Sequence, residues 1–206
     1  MEDLRYPVGR FDWDAPVPSA QERRKLLAQI AAAPRHLRAA VAGLSPRQLD
    51  TPYRSGGWTP RQVAHHVVDS HLNAYTRFKL ALTEDAPTIK PYLEDRWARL
   101  ADTRLTPVAT SVSMLELLHE RWMSLLRTMT DAEFARTFVH PEMGREVTLG
   151  KTLALYAWHG RHHVGHITSL RERMGWSSRS PRSRRPGARR PSRAKRPSPK
   201  SRRARR

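Results

Sequence analysis

The sequence predicts an all-α protein: a four-helix bundle with an extended N-terminal arm and a disordered basic C-terminal tail. Three observations carry this reading. Four stretches repeat apolar residues at spacings near three, four and seven, as amphipathic helices do. No convincing set of alternating segments points to a sheet, and no fixed period points to a repeat architecture. From Ser177 to Arg206 the chain holds 14 Arg and Lys, no acid, and no apolar residue larger than alanine and proline, so it cannot join a core.

The first twenty residues place Pro7, Pro16 and Pro18 among Tyr6, Phe11 and Trp13, which suits an extended arm packed over the bundle. The first helix is predicted over Gln21 to Ala42 from Leu26, Leu27, Ile30, Leu37 and Val41, with Gly43 ending it. Thr59 is a candidate N-cap, Pro60 fits the first helical position and Gln62 completes a capping box, so a second helix runs to about Thr83. The long segment with Pro87, Pro91 and Pro107 reads as a crossover. Met114, Leu115, Leu118, Trp122, Leu125 and Leu126 mark a third helix from about Ser111 to Thr128, followed by a turn and short helix near Asp131 to Phe134. Thr148 can cap a fourth helix from Leu149 to Met174, before Gly175.

Length and charge divide the chain into residues 1–176, the bundle, and residues 177–206, the tail. Setting the tail's 14 cations aside reduces the formal charge from +19 to +5, an ordinary value for a folded domain. There is no cysteine, so disulfides, thiolate ligands and a cysteine nucleophile are excluded. No signal-like apolar segment or run of 18 apolar residues is present, so no membrane association and a cytoplasmic location are expected. The tail suits non-specific phosphate contact with nucleic acid but has no aromatic residue for stacking on bases. Its deletion is expected to leave folding and metal content intact while removing most nucleic-acid affinity, read by elemental analysis and a salt-dependent binding assay.

Seven of the ten histidines fall in two segments predicted to be helical, HHVVDSH (65–71) and HGRHHVGH (159–166). Histidines four apart on a helix lie about one turn above each other and can face one ion. Both His159 with His163 and His162 with His166 satisfy that spacing, and spacing does not choose between them. A third ligand from the earlier segment would leave an open coordination position, as in catalytic sites. Neither segment has the HExxH arrangement that sets a glutamate beside a metal water; Asp69 and Ser70 are candidates to orient an imidazole. Tyr156 and Arg61 are within reach of a substrate role, but a packed tyrosine and a surface arginine are the readings the sequence favours. TPYRSGGWT reads as a turn before a capped helix or as a substrate-facing loop, and His36, His119 and His140 read as structural imidazoles.

The stretches YPVG, LDTPYRSGGWTPRQVAHHVVDSH, RFKLALTE, ELLHERW, LLRTMTD, FVHPE and LALYAWHGRHHVGHITSLRERMGW, within Tyr6 to Trp176, resemble the DinB-like four-helix-bundle proteins, in particular the YfiT group described as metal-dependent hydrolases. The resemblance implies one ligand from the second helix and an HxxxH pair from the last. Matched to this sequence, these are His66, His159 and His163, with His162 and His166 as neighbours. It implies one zinc per chain, nickel in some members, and a homodimer acting on a small-molecule substrate. The activity so implied is hydrolysis by a metal-activated water, with no catalytic side chain identified beyond the ligands. The first alternative is transfer of a bacillithiol-like low-molecular-weight thiol to an electrophile. A non-catalytic metal-stabilised module with a nucleic-acid-binding tail is the second.

Overall fold

The computed structural model describes residues 3–176, so the predicted tail lies outside the described residues. Ten elements follow one another: α1 (Ala20–Val41), α2 (Pro46–Leu49), α3 (Pro60–Thr83), α4 (Glu94–Trp97), α5 (Ala101–Leu105), α6 (Val108–Leu126), α7 (Asp131–Ala135), β1 (Thr137–His140), β2 (Arg145–Thr148) and α8 (Leu149–Arg173). The four long helices are the predicted ones. Ser19 caps α1 in a capping box with Glu22, and Thr59 caps α3 in one with Gln62. Thr148 accepts from the Lys151 N–H at the start of α8. Gly43 and Gly175, just beyond α1 and α8, take the left-handed φ values of 72° and 63° that glycine tolerates without a Cβ clash.

Helix directions follow from which residues meet. Contacts of His71 with His119 and of Phe78 with Trp122 advance in the same sense along α3 and α6, so these helices are parallel. His66 meets His159 while the later Arg77 meets the earlier Tyr156, so α3 and α8 are antiparallel. Ile30 meets His119 while Arg38 meets Glu116, which sets α1 against α6. The main packing pairs are α1 with α8, α8 with α3, α3 with α6 and α6 with α1, so α1 and α3 face each other across a diagonal although they are consecutive long helices. Making α3 and α6 parallel requires a connection along the bundle's length, and residues 84–107 supply the expected crossover.

One expectation is corrected. The sequence showed no convincing strand set, yet Phe138 pairs with Val147 and Val139 with Glu146 in an antiparallel hairpin of β1 and β2. Ile89 N–H donates to the Val139 carbonyl at 3.1 Å and Val139 N–H to the Pro87 carbonyl at 3.0 Å, docking the start of the crossover on the hairpin. Strands of four residues carry too few alternations to stand out as a period. They are held because Phe138 and Val147 are buried beside Phe134 and Leu149.

The core is split into two apolar clusters. One contains Phe78, Trp122, Leu126, Phe134 and Leu153; the other contains Leu37, Val63, Val67, Leu115 and Ile167. Between them, at mid-bundle, lie buried His66, Ser70, His71, His119 and His163. Gly160 permits close packing here, because a Cβ on it would stand 3.1 Å from the Ala33 Cβ and 3.9 Å from the His71 ring.

The arm is strapped along α8 as expected. Lys151, 8% exposed, donates from Nζ to the Asp12 carbonyl at 3.0 Å and the Ala15 carbonyl at 2.6 Å. Trp158 Nε1 donates to the Gly9 carbonyl at 3.1 Å, and His166 Nε2 lies 3.1 Å from the Arg5 carbonyl. A buried cation held by carbonyl groups contributes roughly 1.5–3 kcal/mol per bond. Lys151→Met is therefore expected to release the arm while the bundle stays folded, read as faster proteolysis within residues 3–18 at unchanged far-UV circular dichroism. Arg171 plays a matching part for α1: NH1 donates to the Ala40 and Ala42 carbonyls at 2.7 and 2.9 Å, satisfying acceptors at the helix end. Arg171→Met should cost on the order of 2 kcal/mol in urea unfolding.

Candidate metal centre

The Thr59 cap starts α3 at Pro60, and this sets His66 on the face turned toward α8. On α8, His159 and His163 are one turn apart, with ring centroids 4.4 Å from each other. Their rings lie 5.3 and 4.7 Å from that of His66. One nitrogen from each ring falls within a group no more than 4.8 Å across. His66 Nε2 and His159 Nε2 stand 3.3 Å apart, the edge that two imidazoles form when both bind a tetrahedral zinc at about 2.0 Å.

Charge state favours the same use. His66 and His163 are buried, and burial pulls the His66 pKa down to about 4 and that of His163 well below the usual histidine value. Burial also depresses His159 strongly, with the neighbouring His66 ring adding to it. These rings are neutral at pH 7, the form that offers a lone pair to a metal. Nitrogen donors without thiolate or carboxylate suit a borderline divalent ion.

His162, His163 and His166 form a second close group sharing His163. His162 stacks on Trp158 with ring centroids 4.3 Å apart, and His166 stacks on Tyr53 at 4.1 Å. A backbone carbonyl can only accept, so His166 Nε2 donates to Arg5 and is engaged with the arm. Both rings line the cavity beside the first group.

That cavity has a volume of about 720 Å³ and opens over His66, His159 and His163. Its walls come from the arm, the loop before α3, the crossover, α3 and α8. Ser70 lines it, its Oγ 3.4 Å from His159 Nε2, as does Tyr156. Asp69 does not line it; burial, with Asp102 nearby, raises its pKa to about 6. Arg61 is held away from it by Asp50, at 2.7 Å. The TPYRSGGW segment is a turn before α3 that contributes Tyr53, Arg54 and Trp58 to the wall. Trp58 lies 4.5 Å from the His66 ring and donates from Nε1 to Asp95 at 2.9 Å, tying the loop to the crossover.

Sequence reasoning missed Arg77, Tyr92, Arg99 and the arm's Tyr6 as cavity residues. Arg77, eleven positions after His66 and so three helical turns along the same face, could have been found from helical periodicity. Tyr92 and Tyr6 reach the cavity through long connections, for which local spacing gives no signal. The sequence assigns no role to His71 beyond its place in the first histidine segment. It is fully buried and links His159 to His119, and His119 donates to the Ile30 carbonyl at 2.9 Å, a structural imidazole as expected.

The chain is similar to several known proteins. The DinB superfamily model matches residues 29–167, which include the three histidines. A Bacillus mycoides protein named "Putative metal-dependent hydrolase" is 53% identical over 176 residues, covering 85% of this chain and all of that protein. A Bacillus cereus protein of the same name matches equally well, at 53% identity with the same coverage. Among solved structures, one described as "YfiT from Bacillus subtilis is a probable metal-dependent hydrolase with an unusual four-helix bundle topology" superposes with a TM-score of 0.82 at 46% identity, covering 84% of this chain and 99% of that one. The chain, with α1 and α3 set on a diagonal, is thus similar to a protein whose topology was itself described as unusual, and it belongs to the DinB superfamily, within its YfiT group.

Proposed function

We propose that the protein is a metal-dependent hydrolase of small molecules in which His66, His159 and His163 hold one divalent ion, zinc foremost and nickel next. The observation that carries this reading is the 3.3 Å approach of the His66 and His159 Nε2 atoms, with His163 beside them, beneath a 720 Å³ cavity. Held by His66, His159 and His163 as neutral imidazoles, such an ion would supply the Lewis acidity that makes water nucleophilic near pH 7. The chain's own groups do the rest. Ser70 Oγ, close to His159 Nε2, is placed to accept or donate a hydrogen bond beside the nucleophile. Burial raises the Tyr92 pKa and keeps that phenol protonated, so it is available as a donor to a substrate oxygen.

Arg54, Arg77 and Arg99 line the cavity without forming an ion pair among the described residues, which favours substrates bearing a carboxylate or phosphate. Metal-loaded and metal-stripped protein should be compared on carboxylate-bearing esters and amides. Turnover restored by zinc or nickel supports the reading, and equal rates with and without metal reject it.

A second reading is favoured by one observation. Among the described residues, the carboxylates lining the cavity are Glu94 and Asp95 of the crossover, and Asp95 is engaged by Trp58, so none of these residues is a dedicated base beside the histidines. A thiol, acidic enough to ionise on binding, makes less demand on a base than water does. Transfer of a low-molecular-weight thiol to an electrophile is then the reaction, and turnover appears only when thiol and electrophile are both added. For the whole chain we propose a homodimer of bundles spanning residues 1–176, with residues 177–206 a separate basic tail giving salt-sensitive contact with nucleic acid.

A further inference from the structure

We infer that a relay of hydrogen-bonded imidazoles crossing all four long helices fixes the tautomer of His159, so that its Nε2 lone pair is presented to the metal site. It begins at Pro34, within α1. Proline has no N–H, so the Ile30 carbonyl, four residues earlier, lacks its helical donor. His119 Nδ1 on α6 fills the gap at 2.9 Å. A carbonyl only accepts, so Nδ1 carries the proton. His119 is 3% exposed and is neutral in that setting, which leaves its Nε2 bare.

Each ring then dictates the next. His71 Nδ1 on α3 is 2.8 Å from His119 Nε2 and must donate to it, which leaves His71 Nε2 bare. His159 Nδ1 on α8 is 3.3 Å from His71 Nε2 and donates in turn. The remaining nitrogen, His159 Nε2, keeps its lone pair and points at His66 Nε2. The opposite tautomer at any one ring would set two N–H groups or two lone pairs against each other inside the core. His71 and His119 touch no substrate; they are positioning residues. By accepting the His159 N–H, His71, itself fixed by His119, holds the ring's orientation and raises the basicity of the ligand nitrogen, a part more often played by a carboxylate or a backbone carbonyl. Here the carbonyl sits two imidazoles away, on α1.

The metal role of the relay rests on the site reading above, so the test separates the two. The full-length, metal-free protein labelled with ¹⁵N histidine would be studied by long-range ¹H–¹⁵N correlation, followed by zinc titration of wild type, His119→Leu and His119→Gln. The expected spectrum shows His71, His119 and His159 all protonated at Nδ1. Leucine cuts the relay, so the His71 tautomer is no longer fixed and zinc affinity falls about 10- to 100-fold. A glutamine amide can donate to Ile30 and accept from His71, so it should preserve both tautomer and affinity. An Nε2–H tautomer at any of the three wild-type rings overturns the proposal. So does a folded leucine variant with unchanged tautomers and zinc affinity. If leucine prevents folding, glutamine decides: retained Nδ1–H signals and affinity support the relay, and their loss in a folded protein overturns it. Three Nδ1–H rings without zinc or nickel uptake reject the metal-site reading and leave the hydrogen-bond relay standing.

Discussion

Purified wild-type protein is expected to carry about one divalent ion per chain, and His66→Ala, His159→Ala and His163→Ala are each expected to reduce that content to near zero. Removing one of three nitrogen donors leaves two, too few to compete with water and buffer for a borderline ion. His162→Ala and His166→Ala should largely spare metal content, because His166 Nε2 is engaged by the Arg5 carbonyl and His162 lies on Trp158. Elemental analysis of the five variants is the check. Full metal in any of the first three rejects the ligand set; loss in His162→Ala and His166→Ala together with His163→Ala would instead select the second histidine group.

The second large effect is on acid stability. Burial holds the His66, His119 and His162 pKa values near 4 in the folded chain and depresses those of His71, His159 and His163 well below the usual histidine value. An unfolded histidine titrates near 6.5. Between those values the unfolded chain binds more protons than the folded one, so stability rises with pH in that window. The contribution is fully present above pH 6.5 and is lost as pH falls through about 4. For a buried ring such as His119 it is on the order of 3 kcal/mol, from a shift of about 2.5 pH units. Two or three such groups rival the whole stability of an ordinary domain. The metal-free protein should therefore show a steep loss of urea midpoint between pH 7 and pH 5, and His119→Gln should flatten it. A midpoint independent of pH over that range would contradict the burial of these rings as neutral groups.

The long helices were legible because each carries its own boundary chemistry. Thr59 with Gln62, Thr148 and Gly43 announce their ends, and apolar spacing fills the interiors. The pair His159 and His163 was legible for the same reason, since one helical turn is a local property. Choosing it over His162 and His166 was not, and the choice came from resemblance. The structure adds a physical distinction that spacing lacks, the arm's carbonyl on His166. The β1–β2 hairpin escaped because four-residue strands are stabilised by partners rather than by pattern. The relay escaped for a related reason: His71, His119 and Pro34 look unrelated in sequence, and their meaning depends on a carbonyl that proline leaves free.

The placement of His66 and His159 has a mechanical consequence. They lie 93 residues apart, on two antiparallel helices, in a chain without cysteine. An ion joining them would act as a reversible staple, closing a loop whose restriction of the unfolded chain is comparable to that of a long-range disulfide, roughly 4–5 kcal/mol in a chain-entropy account. Loading with metal would then raise the equilibrium stability as well as enable chemistry, and a chelator would weaken the protein even with its substrate absent.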